Sequence, residues 1–155
     1  MSKPIVKILA SKNIVSLVKR SLGSPVFQNL YATVDGEEKD ILQGGRFSCA
    51  FFISAILRQL ELIKKGHAGV AGLEKDMIES GWQKIDKPIL GSIVFYDPAP
   101  NSEDELCPEG HPHVGIYMGN DTVISNSTEE RVPVEHHWTY DGTRKITAIY
   151  THPEK

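Results

Sequence analysis

Residues 48–66, SCAFFISAILRQLELIKKG, carry the strongest structural signal in the chain. From Phe52 to Ile63 the apolar residues recur along one broad helical stripe, which predicts a deeply buried helix over residues 49–63. Ser48 is a favourable N-cap residue, and Lys64-Lys65-Gly66 provides a cationic last turn followed by a glycine that ends helices. Cys49 is therefore expected in the first turn of a buried helix.

Weaker signals surround this helix on both sides. We expect one or two short amphipathic helices over residues 4–22, irregular chain with a turn at residues 34–36, and a second helix over residues 70–80. The period then changes from helical to alternating, and the β-prone runs are Ile89–Tyr96, His113–Met118, Thr122–Asn126, Arg131–Val134 and Lys145–Tyr150. This order predicts an α+β fold with N-terminal helices packed on an antiparallel sheet of about five or six strands.

The length and composition exclude several classes of protein. A chain of 155 residues with 40% hydrophobic content suits one globular domain over residues 1–155, divided into an N-terminal helical and irregular segment, 1–44, and a core, 45–155. The net charge is -3, and the sequence contains no cluster of Lys or Arg that could form a basic surface for a phosphate backbone. Nucleic acid is therefore not an expected partner. Oligomeric state is not readable from the chain.

Targeting signals are also missing from the pattern. No run approaches the roughly 18 apolar residues of a spanning helix, and no signal-peptide core is present near the N-terminus. The default expectation is therefore a cytoplasmic protein without a membrane span. Cys49 and Cys107 lie in unlike surroundings, the second in an acidic, proline-rich stretch, and we expect both to be free thiols.

Cys49 and His113 together are typical of thiol catalysis. At the start of a helix, unpaired backbone N–H groups and the helix dipole favour an anion, so the Cys49 thiolate is expected to form more readily than that of a free cysteine. The Gly44-Gly45 pair before it permits close approach of another chain segment. His113 begins a strand, and a cysteine at a helix start with a histidine on a sheet predicts a nucleophile and its general base.

The order of these motifs resembles a known enzyme family. The motifs are Ser48-Cys49-Ala50-Phe51-Phe52, Gly81-Trp82, Gly91-Ser92-Ile93-Val94-Phe95 and His113-Val114-Gly115-Ile116-Tyr117-Met118-Gly119-Asn120. Over residues 45–126 they resemble a divergent member of the NlpC-type papain-like cysteine peptidases and amidases of bacterial cell-wall metabolism, related to the CHAP amidases. The resemblance implies a cysteine at the start of a helix packed on the sheet, a histidine on the neighbouring strand, and a third polar residue that orients the imidazole.

The chain departs from this family at three positions. Ser48 and Ser92 stand where the family usually has Asp, and Ser125 stands where it usually has the histidine that orients the catalytic one. The third residue must accept a hydrogen bond from the imidazole ring, and Asn126 is the leading candidate because a Cys-His-Asn set is chemically sound. Ser125, His136 and His137 are the alternatives. The backbone N–H of Cys49 is the expected oxyanion donor, and Tyr31 a possible second one.

Three functions of different classes follow from these residues. The first is a thiol hydrolase that cleaves an amide or peptide bond in a cell-wall peptide or similar fragment, which would be its partner, without a metal or cofactor. The second is a catalytically weak protein of the same fold that binds such a ligand. The third is a metal-binding protein, because Cys107, His111 and His113 are possible zinc ligands, although their spacing is not a standard zinc pattern.

Overall fold

The computed structural model describes residues 1–98 and 111–153. Within them there are three α-helices, which are α1 (Ala10–Arg20), α2 (Cys49–Gln59) and α3 (Val70–Glu79). The described part of the chain also contains eight β-strands, which are β1 (Tyr31–Val34), β2 (Glu37–Asp40), β3 (Gln83–Lys84), β4 (Ile93–Tyr96), β5 (His113–Gly119), β6 (Thr122–Asn126), β7 (Pro133–His137) and β8 (Ile146–Thr151).

Six of the strands form one antiparallel sheet, in the order β3-β8-β4-β5-β6-β7. Its centre is made of β8, β4, β5 and β6. One face of these strands packs on the helices, and the other carries a second, smaller apolar cluster of Val94, Tyr96, Val123 and Ile149. The predicted α+β class, with N-terminal helices on an antiparallel sheet of about five or six strands, is therefore confirmed.

Helix α2 packs at the centre of the core, as its apolar stripe predicts. Its buried side chains are Ala50, Phe52, Ile53, Ser54, Ile56 and Leu57. All of them except Ser54 join α1, α3 and the sheet in one apolar cluster, in which Phe52, Ile53 and Leu57 are 0% exposed. Because the helix is fixed along its whole length, its first turn holds Cys49 in a defined place against the sheet.

Helix α2 ends earlier than the sequence predicts, at Gln59 rather than at residue 63. Glu61 adopts a left-handed backbone conformation with φ 59°. Two hydrogen bonds then close the helix end, from Glu61 N to Arg58 O at 3.0 Å and from Leu62 N to Leu57 O at 2.9 Å. This is a Schellman motif, and it escapes sequence reasoning because a glutamate takes the position where glycine is usual.

A second difference lies in the segment predicted to be irregular, where β1 and β2 form a separate two-stranded hairpin. Asp35 and Gly36 make its turn with φ 52° and 84°, the conformation that an Asp-Gly pair favours in tight hairpins. The strands were not predicted because most of their side chains are exposed, so no alternation of apolar and polar residues marks them.

The outer strands of the large sheet differ from the prediction as well. The two-residue strand β3 is too short to leave a pattern, and β7 begins at Pro133 and continues to His137 rather than covering residues 131–134. Arg131 adopts φ 63°, which places it in the turn before β7. No helix among residues 1–98 and 111–153 is both long and apolar enough to cross a bilayer.

Candidate active site

Cys49 is the first residue of α2 and is partly buried. Its sulfur lies 4.0 Å from the carbonyl oxygen of Pro112, the residue before β5. Ser48 occupies the N-cap position, but its side chain does not cap the helix, and its hydroxyl oxygen is buried without a hydrogen-bond partner among the described residues. The predicted capping role of Ser48 is therefore wrong.

The segment that leads into Cys49 is held by two features. Gly45 has φ 100°, and a Cβ atom added there would stand 2.5 Å from the carbonyl oxygen of Arg131, which confirms the predicted close approach of another segment. Asp40 accepts hydrogen bonds from the backbone N–H groups of Leu30, Leu42 and Gly44 and from the Asn29 amide. Burial opposes ionisation of Asp40, but these bonds outweigh it and lower the pKa of Asp40 to about 2.

His113 is the first residue of β5 and is 6% exposed. Tyr96 stands directly opposite it on β4 and Tyr140 contacts its ring edge-on, with ring centroids 5.8 Å apart in the second pair. The Nε2 atom of His113 makes a hydrogen bond of 2.9 Å to the Ser125 hydroxyl. This leaves Nδ1 as the ring nitrogen that is not bonded to Ser125.

Ser125, rather than Asn126, is the residue that bonds His113. Neighbouring residues of a strand point to opposite faces, and Ser125 shares a sheet face with His113. Asn126 turns the other way, where its amide donates to the carbonyl of Gly45 at 2.7 Å, and its own Oδ1 is buried without a partner among the described residues. Asn126 therefore supports the loop before α2. Its predicted role was to orient His113, but in this structure its hydrogen bonds go to other residues.

Ser125 is also bonded on its far side. Its hydroxyl lies 2.7 Å from Nε2 of His136 on β7 and 3.2 Å from the hydroxyl of Tyr140. His136, one of the predicted alternatives for the third residue, thus approaches His113 through Ser125. His137 points elsewhere, since its Nδ1 contacts the Thr139 hydroxyl at 2.8 Å.

Cys49 and His113 line one cavity of about 410 Å³. Its wall comes from separate parts of the chain, and the lining residues are Ile41, Gln43, Arg46, Phe47, Cys49, Ala68, Gly69, Val70, His111, Pro112, His113, Thr128 and Arg144. Two arginines and no carboxylate are among these described residues. Tyr31 is not one of them, because it lies at the start of the exposed hairpin with 66% of its surface accessible.

The ionisation of Cys49 differs from the expectation. Burial raises the pKa of Cys49 to about 11, although the N–H groups of Ala50, Val114 and Cys49 and the charge of Arg144 act to lower it. The prediction of an easily formed thiolate is therefore wrong for the free protein, because loss of solvent outweighs the amides at the helix start. Burial also holds the pKa of His113 well below 6.5, with the nearby charges of Arg144 and His136 acting in the same direction.

These two shifts define the resting state of the pair at neutral pH. The Cys49 thiol keeps its proton and the His113 imidazole is neutral, so the two residues do not form a thiolate–imidazolium ion pair. In this state, reaction of the thiol as a nucleophile would require transfer of its proton to a base such as His113 during attack, as a serine nucleophile does with its histidine.

The alternative metal site falls partly outside the described residues, because Cys107 does. Among residues 1–98 and 111–153, no group of three His, Cys, Asp or Glu side chains is placed to hold a metal ion. His111 contributes to the cavity wall, where its ring lies 4.1 Å from that of Phe47.

The fold is similar to two solved structures from Trichomonas vaginalis. NlpC1 is 20% identical, with 97% of this chain and 48% of that chain covered and a TM-score of 0.56. NlpC2 is 18% identical, with 96% and 49% covered and a TM-score of 0.56. The chain has an NlpC-like fold. It spans about half the length of these two structures. No protein-family model matches the sequence, and no curated protein does.

Three residues of the candidate site were missed by the sequence reasoning. Gln43 lines the cavity six positions before Cys49 and has φ 51°, a conformation unusual for glutamine. Tyr140 reaches Ser125 and has φ 52°. Arg144 donates to the carbonyl of His111 at 3.1 Å, and its charge acts on Cys49. None of the three belongs to a periodic run of apolar residues. The turn predicted at Asp141-Gly142, which lies between Tyr140 and Arg144, is the nearest sequence signal.

Proposed function

We propose that the protein is a thiol-dependent hydrolase of amide or peptide bonds, with Cys49 as the nucleophile and His113 as the general base and acid. The observation that carries the proposal is the shared cavity, which brings a helix-start cysteine and a buried histidine to one wall. The hydrogen bond from His113 to Ser125 supports it, because that bond leaves Nδ1 for the thiol. The NlpC-like fold supports it as well.

The reaction begins with a neutral thiol and a neutral imidazole. The thiol proton moves to Nδ1 of His113 as the sulfur attacks the carbonyl carbon, and the oxygen of the tetrahedral intermediate becomes negative. The imidazolium gives its proton to the leaving amine as the C–N bond breaks, which leaves a thioester on Cys49. Water then adds to the thioester while His113 takes its proton. The C–S bond breaks, the carboxylic acid leaves, and His113 returns the proton to the sulfur, which restores the neutral thiol and imidazole.

Two donors are proposed for the negative oxygen. The backbone N–H of Cys49 lies in the first turn of α2, where helical N–H groups have no partner within the helix. Gln43 supplies an amide on the same cavity wall and replaces Tyr31 in this role, because Tyr31 lies on the exposed hairpin. Preorganised donors of this kind contribute about 10²–10³-fold each to turnover.

The substrate is proposed to be a short peptide that carries a carboxylate near the bond that is cut. Arg46 and Arg144 line the cavity, and its described wall contains no Asp or Glu, so the local field favours an anionic group. A cell-wall peptide meets this requirement, and that substrate class rests on the resemblance of the sequence motifs. The ligand-binding alternative would use the same wall without turnover.

The test is hydrolysis of short peptides followed by mass spectrometry in water enriched in ¹⁸O. The panel contains peptides released from purified peptidoglycan and linear peptides, each with free and with amidated carboxylates. We expect one ¹⁸O atom in the new carboxyl group, faster cleavage of the free carboxylates, and loss of at least about 10³-fold in turnover for Cys49→Ala and His113→Ala.

Each other result of this experiment has a definite meaning. Equal cleavage by Cys49→Ala would remove Cys49 as the nucleophile. Saturable binding of the peptides without any product, in a folded protein, would favour the ligand-binding alternative. Faster cleavage of the amidated peptides would contradict the proposed role of the two arginines.

A further inference from the structure

Three histidine and serine side chains form a continuous hydrogen-bonded row across β5, β6 and β7. Nε2 of His113 lies 2.9 Å from the Ser125 hydroxyl, which lies 2.7 Å from Nε2 of His136. Val123 of β6 stands directly opposite His136 of β7, so their side chains lie on the same face of the sheet. Ser125 is two residues after Val123 and therefore lies on that face as well. The row therefore runs from the cavity wall to the partly exposed edge strand.

The direction of every hydrogen bond in this row follows from its far end. Nδ1 of His136 lies 2.8 Å from the carbonyl oxygen of His137, and a carbonyl can only accept, so Nδ1 carries a proton. In a neutral imidazole, Nε2 is then the acceptor. Burial lowers the pKa of His136, which keeps the ring neutral at neutral pH.

The single proton of the Ser125 hydroxyl is consequently donated to His136. Its oxygen must then accept from His113, so Nε2 of His113 carries a proton and Nδ1 of His113 holds the lone pair. Tyr140 fits this arrangement as a second donor to the Ser125 oxygen at 3.2 Å. Burial, the largest influence, raises the pKa of Tyr140 to about 12, so the phenol retains the proton that it donates.

The backbone around Tyr140 indicates that this arrangement is built at a cost. Tyr140 and Asp141 have φ 52° and 55°, a left-handed conformation that bulky residues rarely adopt. In this turn the Tyr140 ring stacks on His136, with centroids 3.9 Å apart and planes 24° apart. The stack holds the His136 ring in the plane in which its Nε2 faces Ser125.

We propose that His136 is a positioning residue that acts through Ser125 to hold His113 in the tautomer whose lone pair is on Nδ1. The tautomer of His113 follows from the hydrogen bonds alone. Its importance for catalysis rests on the proposed function, in which the lone pair on Nδ1 accepts the proton of the Cys49 thiol. Without His136 the Ser125 hydroxyl can rotate and donate to Nε2 of His113. The proton of His113 then moves to Nδ1, and the ring cannot act as a base toward Cys49.

The tautomer can be measured whether or not the protein has activity. Long-range ¹H–¹⁵N correlation spectra of protein with ¹⁵N-labelled histidine distinguish protonated from unprotonated ring nitrogens, and loss of signals in His113→Gln assigns that ring. At neutral pH we expect Nε2 of His113 to be protonated in the unaltered protein. In His136→Ala a substantial population should carry the proton on Nδ1.

Two variants complete the experiment. His136→Gln restores an acceptor near the position of Nε2 and should return the His113 signals toward the original pattern. Glu135→Ala lies on the same strand with an exposed side chain on the opposite face, and should leave them unchanged. If peptide hydrolysis is detected, kcat/KM should fall about 10–100-fold in His136→Ala and recover to within a few-fold in His136→Gln.

An Nδ1-protonated His113 in the unaltered protein would overturn the inference, as would a tautomer that does not respond to His136→Ala in a folded variant. The spectrum of the unaltered protein needs no substitution, so a variant that fails to fold does not remove the test. Absence of hydrolysis together with the expected tautomers would reject the proposed function and leave the positioning of His113 intact.

Discussion

At Cys49 two opposing influences act on one sulfur atom. The amides at the start of α2 and the charge of Arg144 favour the thiolate, whereas burial disfavours it, and the pKa of Cys49 rises to about 11 because burial is the larger influence. In the proposed reaction, a neutral thiol needs a neutral histidine that holds its lone pair on the nitrogen facing the sulfur. The hydrogen bonds of Ser125 would therefore matter more for this reaction than they would beside a preformed thiolate.

The raised pKa predicts slow alkylation of Cys49 at neutral pH. Relative to an ordinary thiol with a pKa of 9.0, the thiolate fraction falls by two orders of magnitude, and the greater nucleophilicity of a more basic thiolate recovers part of this loss. In a Cys107→Ser background, iodoacetamide should react about tenfold more slowly than with an exposed cysteine at pH 7. The rate should keep rising up to about pH 11.

The measurement is the alkylation rate as a function of pH, followed by intact-protein mass spectrometry. The same protein unfolded in urea supplies the exposed-thiol control. A Cys49 that reacts faster than this control at pH 7 would indicate a thiolate–imidazolium pair and contradict the neutral resting state.

At the scale of elements, Gly115 on β5 allows β6 to carry Ser125 close to His113. A Cβ atom at residue 115 would lie 2.3 Å from Cγ1 of Val123 and 3.1 Å from Cβ of Ser125. Both neighbours belong to β6, so the missing side chain makes room for the strand that bears the hydrogen-bond partner of His113. The Gly in the His-Val-Gly-Ile motif thus serves the geometry of the site as well as the packing.

Gly115→Ala is expected to destabilise the protein by about 1–3 kcal/mol, because the added methyl group overpacks the contact between β5 and β6. For a chain of this length, each kcal/mol lowers the Tm by about 2–4 °C. Thermal unfolding followed by circular dichroism measures the change. Gly66→Ala is the matched control, since the nearest atom to its added Cβ is the Ser54 hydroxyl at 3.9 Å.

Equal Tm values for Gly115→Ala and Gly66→Ala would mean that β6 moves away without cost, and the contact would lose its importance. A drop in Tm accompanied by loss of the native His113 tautomer would instead connect the packing of the two strands with the orientation of the histidine.

Across the whole molecule, buried and partly buried ionisable groups connect stability to pH. Burial holds the pKa of His113 well below its ordinary 6.5, and the hydrogen bonds of Asp40 lower its pKa from 3.8 to about 2 despite the opposing effect of burial. Asp76 behaves like Asp40: burial opposes its ionisation, but its hydrogen bonds with His67, the Lys64 and Lys65 amides and Ser80 outweigh it. These groups fasten the segment between β2 and α2, the α2–α3 connection and the sheet, which all contribute to the cavity wall.

All three groups bind protons more readily in the unfolded chain than in the folded one, so stability must fall as the pH falls. The contribution of His113 is complete above pH 6.5 and is lost below it, and that of Asp40 is complete above pH 3.8 and is lost toward about pH 2. We expect the free energy of unfolding, measured by urea titration, to decline in two stages on acidification.

Substitutions assign the two stages to their groups. His113→Gln should reduce the stage below pH 6.5, and Asp40→Asn should reduce the stage below pH 3.8. Glu38→Gln changes an exposed carboxylate on β2 and is the control for Asp40. A stability that is flat between pH 6.5 and 4 would contradict the neutral, buried state of His113.

The elements around the site follow from the order of the residues alone. The apolar stripe of residues 48–66, the later change to an alternating period, and His113 at the head of a β-prone run led to the correct fold class and to two residues that line the cavity, Cys49 and His113. Signals of this kind lie in consecutive residues, because helix and strand periodicities are local. The exposed β1–β2 hairpin carries no such signal, and neither does the Glu61 end of α2.

Tertiary structure decided the chemistry within that frame. Ser125 and Asn126 are neighbours in sequence, but the pairing of β6 gives one to His113 and the other to Gly45. His136 enters the site only through the register of β7, and Tyr140 only through a strained turn. The pKa of Cys49 likewise depends on burial of its sulfur by segments that are far from it in sequence. Desolvation and cross-strand hydrogen bonds arise between residues far apart in the chain. The sequence therefore named the cysteine and the histidine, left Asn126, Ser125 and His136 as competing partners of His113, and missed Tyr140 and Arg144.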